Sequence, residues 1–414
     1  MTSKYFPIQT STACSLKWNW STLYLNTGVT RSCHRTAESQ LTPENFENFH
    51  NTDLKIADRQ RMLDGQWPES NCSYCRKIEE SGGVSDRQLQ LTIPYTNPPE
   101  FKNNSSAVVV SPTLLEVYFS NACNLGCLYC VPQLSSTIAA ENIKFGKFDK
   151  NGVVLDLFDN QVKHLVPYFW KWFDKNFQTL SRLHVAGGEP FYQKDFDRLL
   201  DEIEKNPNPN CELNIVSNLM ISKQKLEHYI EKFKKLLATK KLKRIDITCS
   251  IDCWGPQQEY VRWGLDLNQW KENFELLLAH KWLYISINQT ISSLAIKTMP
   301  ELLLQIKQWK QQRQVGHWFG IVSPGPSYMR PDIFGKDEFA EDTEKILKLM
   351  PTDTEEELTA LKYMSGMLSQ NLSVEINQTE IVKLITFLDE KDRRHNTNWE
   401  TLFPWLIGYR KYVV

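Results

Sequence analysis

Three cysteines fall within the eight residues CNLGCLYC, at Cys123, Cys127 and Cys130, and no fourth follows nearby. Three thiolates can hold three irons of a [4Fe–4S] cube and leave the fourth iron open to a substrate or cofactor. A structural zinc site takes four ligands and keeps no vacancy. The spacing therefore suggests an open cluster; a zinc or structural site with a remote fourth ligand is the alternative. A second group comprises Cys14, Cys33 and the pair Cys72–Cys75. The stretch WSTLYL–NTG–VTRSC reads as a β-hairpin turning at Asn26 to Gly28, and CSYC opens an apparent helix through RKIEESGG. Two ligands near a hairpin and two near a helix start make a coherent four-thiolate site. Spacing alone does not separate zinc from iron–sulfur here, and taken bare it leans to zinc.

The remaining cysteines, Cys211, Cys249 and Cys253, stand in helix-like or strand-like segments and read as buried, reduced side chains. Of these, Cys253 is the candidate radical or proton partner. His34 adjoins Cys33 as a possible substitute ligand but reads better as solvated or hydrogen-bonded. His184 and His317 lie within strand-like runs, as core or pocket residues.

The elements that must position these residues alternate. Strands are expected at LLEVYF (Leu114 to Phe119), RLHVAG (Arg182 to Gly187), ELNIVS (Glu212 to Ser217), RIDITCS (Arg244 to Ser250), YISINQT (Tyr284 to Thr290) and HWFGIV (His317 to Val322). Helices are expected between them, at 157–177, 196–205, 225–237 and 267–281. Six strands alternating with helices give an α/β fold, a partial, open (βα)6 TIM-like barrel rather than a closed eight-fold one. In such a fold active residues collect at the carboxyl ends of strands, and the triplet directly follows the first. We expect three regions: a cysteine-rich N-terminal domain over 1–105, the barrel over 106–330, and a helical extension over 331–414. The stretch TNPPEFKNNSS (Thr96 to Ser106) is the expected linker.

Composition narrows the function class. The chain has 414 residues, 48 basic against 49 acidic, so near-neutral charge argues against tight nucleic-acid binding. The one basic run, Lys232 to Arg244, alternates with apolar residues at helical spacing and reads as a solvated helix face. No apolar segment is long enough to span a bilayer, and the N-terminus lacks a signal-peptide core, so a cytoplasmic location is expected. A reducing compartment then argues against structural disulfides among the ten cysteines.

CNLGCLYC resembles the CxxxCxxC signature of the radical S-adenosylmethionine (radical SAM) superfamily, with the aromatic Tyr129 before the last cysteine. The second expected strand ends in GGEP, Gly187 to Pro190, matching that family's motif. The resemblance covers roughly residues 110 to 325. It implies that Cys123, Cys127 and Cys130 bind a [4Fe–4S] cluster whose open iron is chelated by SAM. Gly187, Gly188 and Glu189 would receive the methionine amino group, and Tyr129 would lie beside the adenine. Ser217, Asn218, Ser250 and Asp252 resemble contacts to the ribose and methionine portions. Arg262, in YVRWG, has the type and place for the SAM carboxylate.

The first hundred residues resemble a twitch domain, the shortened relative of the SPASM domain, placed before the barrel. That resemblance makes Cys14, Cys33, Cys72 and Cys75 ligands of a closed auxiliary [4Fe–4S] cluster. The implied activity is reductive cleavage of SAM to a 5′-deoxyadenosyl radical that abstracts hydrogen from a substrate. Relatives of this kind often modify peptides or proteins, which makes a peptide or protein side chain the leading substrate. A sugar, amino acid or nucleotide derivative is the enzymatic alternative, and a non-catalytic zinc or iron–sulfur module is the alternative of another class. An electron donor such as flavodoxin or ferredoxin is the implied partner. The sequence assigns no catalytic side chain beyond these binding residues.

Overall fold

The computed structural model describes residues 4–94, 96–158, 165–322, 325–352, 354–371 and 375–413. The chain divides into two compact units, each discontinuous in sequence. The first comprises Met1–Ala122, Asn160–Val216 and Lys223–Ile247; the second comprises Cys123–Asp159, Ser217–Ser222 and Thr248–Val414. The main strands are β1 (Trp20–Tyr24), β2 (Val29–Arg31), β3 (Ser39–Gln40), β4 (Leu114–Tyr118), β5 (Arg182–Ala186), β6 (Asn208–Ser217), β7 (Leu242–Ser250), β8 (Tyr284–Ile291) and β9 (Gly316–Ile321). All six strands expected of the barrel are present, as β4 to β9. The fold is mixed α/β, with its parallel strands separated by helices as expected.

In the first unit the strand order is β3-β2-β1-β4-β5-β6-β7. Strands β4, β5 and β6 run parallel, with Val117 opposite Val185 and Val185 opposite Ile215. Side chains alternate across a strand, so this register sorts the faces. Leu115, Val117, Leu183, Val185, Leu213 and Ile215 form one fully buried apolar face. On the other face Glu116, His184 and Asn214 come to one level. Helix Lys194–Lys205 buries Phe196, Leu199, Leu200 and Ile203. Helix Lys223–Ala238 buries Leu226, Tyr229, Ile230, Phe233 and Leu236, again one stripe at helical spacing. The outer face of that helix carries the basic run, where Lys232 and Lys235 pair with Asp201 and Glu204 of the preceding helix at 2.7 and 2.6 Å.

The N-terminal hairpin forms as expected, β1 against β2 antiparallel, with Gly28 supplying the positive φ of its turn. Its other edge differs from a free-standing hairpin. β1 also runs parallel to β4, Trp20 opposite Leu114 through Tyr24 opposite Tyr118. Main-chain hydrogen bonds thus join the N-terminal segment to the sheet. The helix expected after CSYC starts earlier, at Glu69, and runs to Glu80, so Cys72 and Cys75 lie inside it. Pro68 at the N-cap explains the start, since proline cannot continue a helix backwards.

In the second unit the last residues of β7 lie beside β8, and β8 runs parallel to β9. A two-residue strand, Gly126–Cys127, pairs antiparallel with Arg262–Trp263. The C-terminal helices expected from periodicity are Ala340–Leu349, Glu355–Asn371 and Gln378–His395. In the aromatic tail, Trp405 and Tyr409 pack edge-on against Phe334, with ring centroids 5.1 and 5.0 Å apart. Of the helix expected over 157–177, Val166–Asn176 is present, while 159–164 lie outside the described residues. No helix among the described residues is long and apolar enough to cross a membrane.

Candidate functional site

The three-thiol loop in the second unit is held by polar side chains. Ser136 and Thr137 open helix Ser136–Phe145. The Ser136 hydroxyl accepts from Cys123 N–H and donates to Cys123 C=O, each at 3.0 Å, and Thr137 donates to the same carbonyl at 2.8 Å. Ser135 caps the helix and donates to Leu125 C=O at 2.7 Å. Two donors face the Cys123 sulfur: Leu125 N–H at 3.5 Å and Asn218 Nδ2 at 3.8 Å.

Asn218 stands in the short segment after β6, which its own side chains fold. The Ser217 hydroxyl accepts from Leu219 N–H at 2.9 Å, and Asn218 Oδ1 accepts from Met220 N–H at 2.8 Å. These bonds hold Leu219 at a positive φ of 60°, which a non-glycine residue adopts only when surroundings require it. Asn124 joins loop and segment, accepting from Asn218 at 2.9 Å and donating to Met220 C=O at 2.7 Å. Asn273 then braces the segment through two carbonyls, Leu219 and Ile221. Sequence reasoning passed over Asn124, one of the unspecified positions of CxxxCxxC, and Asn273, which lies outside any motif.

Asp252, fully buried after β7, gathers Tyr129 and Arg262. Tyr129 O–H donates to it at 2.7 Å, Arg262 Nε and Nη2 each at 2.9 Å, and Thr290 N–H at 2.9 Å. Such bidentate pairing is what the planar guanidinium does best. Burial works against the Arg262 charge, and Asp252 foremost more than restores it. Arg262 also donates to the Cys127 thiol, the residue it faces across the short strand pair. Burial pushes the Cys127 and Cys130 thiols up. Cys123 and Cys127 add to the effect at Cys130, so the three sulfurs sense one another. Ser250 is buried at the end of β7.

In the first unit the GGEP turn follows β5. Gly187 has φ 82° and Gly188 φ 55°. A methyl group at Gly187 would lie 2.1 Å from the Tyr118 ring, and one at Gly188 would lie 2.3 Å from the Ala122 carbonyl. Only glycine fits either place. Glu189 N–H donates to Ala122 C=O at 2.7 Å, on the residue directly before Cys123. The Glu189 carboxylate is fully buried and accepts from Phe191 N–H at 3.3 Å.

The four N-terminal cysteines, also in the first unit, come together from three segments. Cys14 packs with Phe6, Ala13, Trp18, Met62 and Leu91, and Cys72 lies against that same apolar cluster. Cys14, Cys72 and Cys75 are pushed up to about 12, burial first. The neighbouring thiols of the group add to that rise at each, Cys33 at all three. Main-chain N–H groups point at three of the sulfurs: Leu16 to Cys14, Arg35 to Cys33 and Arg87 to Cys75. One buried and three half-buried thiols, three of them facing amide donors, would ionise only beside a compensating positive charge, which a metal centre supplies. Among the described residues no three His, Cys, Asp or Glu side chains stand in the geometry of a single metal ion. The thiolates of a cube each bind a different iron, an arrangement wider than ligands sharing one ion.

Cys211, Cys249 and Cys253 are fully buried, the expected small apolar role, and Cys253 Sγ lies 3.6 Å from Gln258 Oε1. The His34 side chain is 62% exposed, in keeping with a solvated ring, and its Nδ1 lies 3.9 Å from Glu116. His184 receives a hydrogen bond from Arg182 at 2.8 Å, and His317 lies 3.0 Å from Gln289 Oε1. Burial, then Lys310, takes His317 down to about 3.

No protein-family model matches the chain, and no curated protein matches it. Among solved structures it is similar to Streptococcus suis SuiB bound to S-adenosylmethionine, with 16% identity and a TM-score of 0.41, over 72% of this chain and 64% of that one. It is similar to native anSMEcpe with bound AdoMet at 18% identity and a TM-score of 0.36, over 66% of each chain. A polyhistidine-tagged anSMEcpe with bound AdoMet gives 17% and 0.35, over 66% of this chain and 65% of that one. The chain thus spans a little under two thirds of the length of each of these proteins.

Proposed function

We propose that the chain is a radical SAM enzyme with two iron–sulfur centres. One observation carries the reading. CxxxCxxC follows the first of six barrel-type strands and GGEP follows the second, and in the structure the GGEP amide is bonded to the residue that leads into the cysteines. When bound, the cluster supplies the electron that cleaves S-adenosylmethionine to a 5′-deoxyadenosyl radical, which takes hydrogen from an unactivated C–H bond. The chain's residues bind and orient. Cys123, Cys127 and Cys130 hold the cluster, with Asn218 and Arg262 donating to the Cys123 and Cys127 sulfurs. Gly187 and Gly188 leave the backbone bare, and Glu189 offers a carboxylate to the methionine ammonium. Tyr129, Ser217, Asn218, Ser250, Asp252 and Arg262 line the nucleotide side. With Nε and Nη2 on Asp252 and a further hydrogen bond to Cys127, Arg262 would hold the SAM carboxylate only with the donors that remain.

Cys14, Cys33, Cys72 and Cys75 hold a closed auxiliary [4Fe–4S] cluster that passes electrons, with a flavodoxin or ferredoxin as donor. We keep the division into 1–105, 106–330 and 331–414 as the functional one. A peptide or protein side chain is the proposed substrate, and a polar small molecule the alternative. Full-length protein reconstituted without oxygen should carry about eight irons, four per cube. It should release 5′-deoxyadenosine from SAM under a reductant, and Cys127→Ala should abolish that release. Metal binding without any 5′-deoxyadenosine would instead mark a non-catalytic module.

A further inference from the structure

A buried ion pair links the segments that carry the four N-terminal thiols. Lys17 is one turn along from Cys14, and its N–H donates to the Cys14 carbonyl at 3.0 Å. Its ammonium, 2% exposed, donates to Asp58 at 2.5 Å. Asp58 lies on helix Asp53–Leu63 and takes two further hydrogen bonds from Asn71 Nδ2, at 3.0 and 2.8 Å. Asn71 directly precedes Cys72, and its Oδ1 accepts at 2.9 Å from Ala37 N–H, in the loop that begins at Cys33. Lys17, Asp58 and Asn71 therefore tie together all three thiol-bearing segments.

A buried pair of this kind is costly to form and is weak evidence for stability alone. Its placement gives it a second role. A cube with four thiolates is net negative, and gaining an electron makes it more so. Net charge, hydrogen bonds to sulfur and solvent exposure set its potential. Here solvent is largely excluded, so a nearby ammonium acts at low dielectric. Burial works against the Lys17 charge, and Cys72, then Asp58 and Cys33, more than restore it.

We propose that Lys17 and Asp58 are opposing positioning residues that set the reduction potential of the four-cysteine cluster: the ammonium favours the reduced state and the carboxylate limits that effect. This rests on the auxiliary-cluster reading above. It is tested in the full chain with Cys123, Cys127 and Cys130 replaced by alanine, so that only one cluster can assemble. Iron and zinc are counted, then the potential is titrated by EPR in the parent, Lys17→Met and Asp58→Asn. Four irons, with Lys17→Met shifted to more negative potential and Asp58→Asn to more positive, is the expected result. A merely structural pair would shift both variants the same way or neither, which overturns the inference while leaving the cluster in place. Zinc, or no metal, in the parent overturns the auxiliary-cluster reading and the inference with it.

Discussion

The two cysteine groups are held by different means. The three thiols of the second unit sit in a loop tied by hydroxyls and amides: Ser135, Ser136, Thr137, Asn124 and Asn218, with Arg262 on Asp252 behind them. In the first unit Cys14 and Cys72 sit against rings and aliphatic chains, and three ion pairs adjoin the four thiols: Lys17 to Asp58, the most buried, Arg35 to Asp86 and Arg87 to Glu79. An open cluster, as proposed for the three-thiol loop, needs one corner free for a polar ligand, so that loop cannot be enclosed in apolar packing. Polar ties fix its backbone yet leave donors aimed at the sulfurs. A closed cluster, as proposed for the N-terminal group, can be enclosed, and enclosure gives the buried Lys17–Asp58 pair greater leverage over its charge.

The comparison can be broken first at Asp252. Asp252→Ala strands the buried Arg262 charge and should cost about 3–5 kcal/mol of stability. Chemical denaturation would read that cost. Iron counting should show loss at the three-cysteine loop while the N-terminal group keeps its metal; equal loss at both would erase the distinction. Gly188→Ala comes next. It forces a β-carbon onto the Ala122 carbonyl at an unfavourable φ, and should cost about 2–3 kcal/mol.

The smallest test sharpens the polar side. Glu141, on the helix that fastens Cys123, meets Lys391, Arg394 and His395 of the last long helix at 2.7, 3.2 and 2.7 Å. Burial alone would raise its carboxyl, but the hydrogen bond from His395 and the Lys391 charge take it down to about 2. A folded-state value below the unfolded one means stability present above the ordinary carboxylate range and lost as pH falls towards 2. Glu141→Gln should be less stable at neutral pH and should show a shallower acid transition between about pH 4.5 and 2. An unchanged acid transition would remove Glu141 from the account.

Much of this was legible in the sequence because it is local. Runs such as RIDITCS and YISINQT announce strands by branching and apolarity, and both formed, as β7 and β8. Phe196, Leu199, Leu200 and Ile203 declare a helix face by spacing alone. The cysteine triplet and GGEP are short motifs at strand ends. Long-range pairings were not legible. Nothing in WSTLY says that its free edge will meet LLEVY some ninety residues on, since register carries no local mark. Lys17, Asp58 and Glu141 look like ordinary surface charges until the chain closes over them. Asn124 and Asn273 each act through a pair of hydrogen bonds to the segment after β6, which no periodicity reveals.

The parallel seam between Trp20–Tyr24 and Leu114–Tyr118 has a practical consequence for anyone trimming the gene. A fragment begun at the linker would shed the cysteine-rich first quarter and bare a row of unpaired amides and carbonyls along Leu114–Tyr118. Such an open flank invites sticking to other chains. The leading segment thus shields the edge of the strand that leads to Cys123.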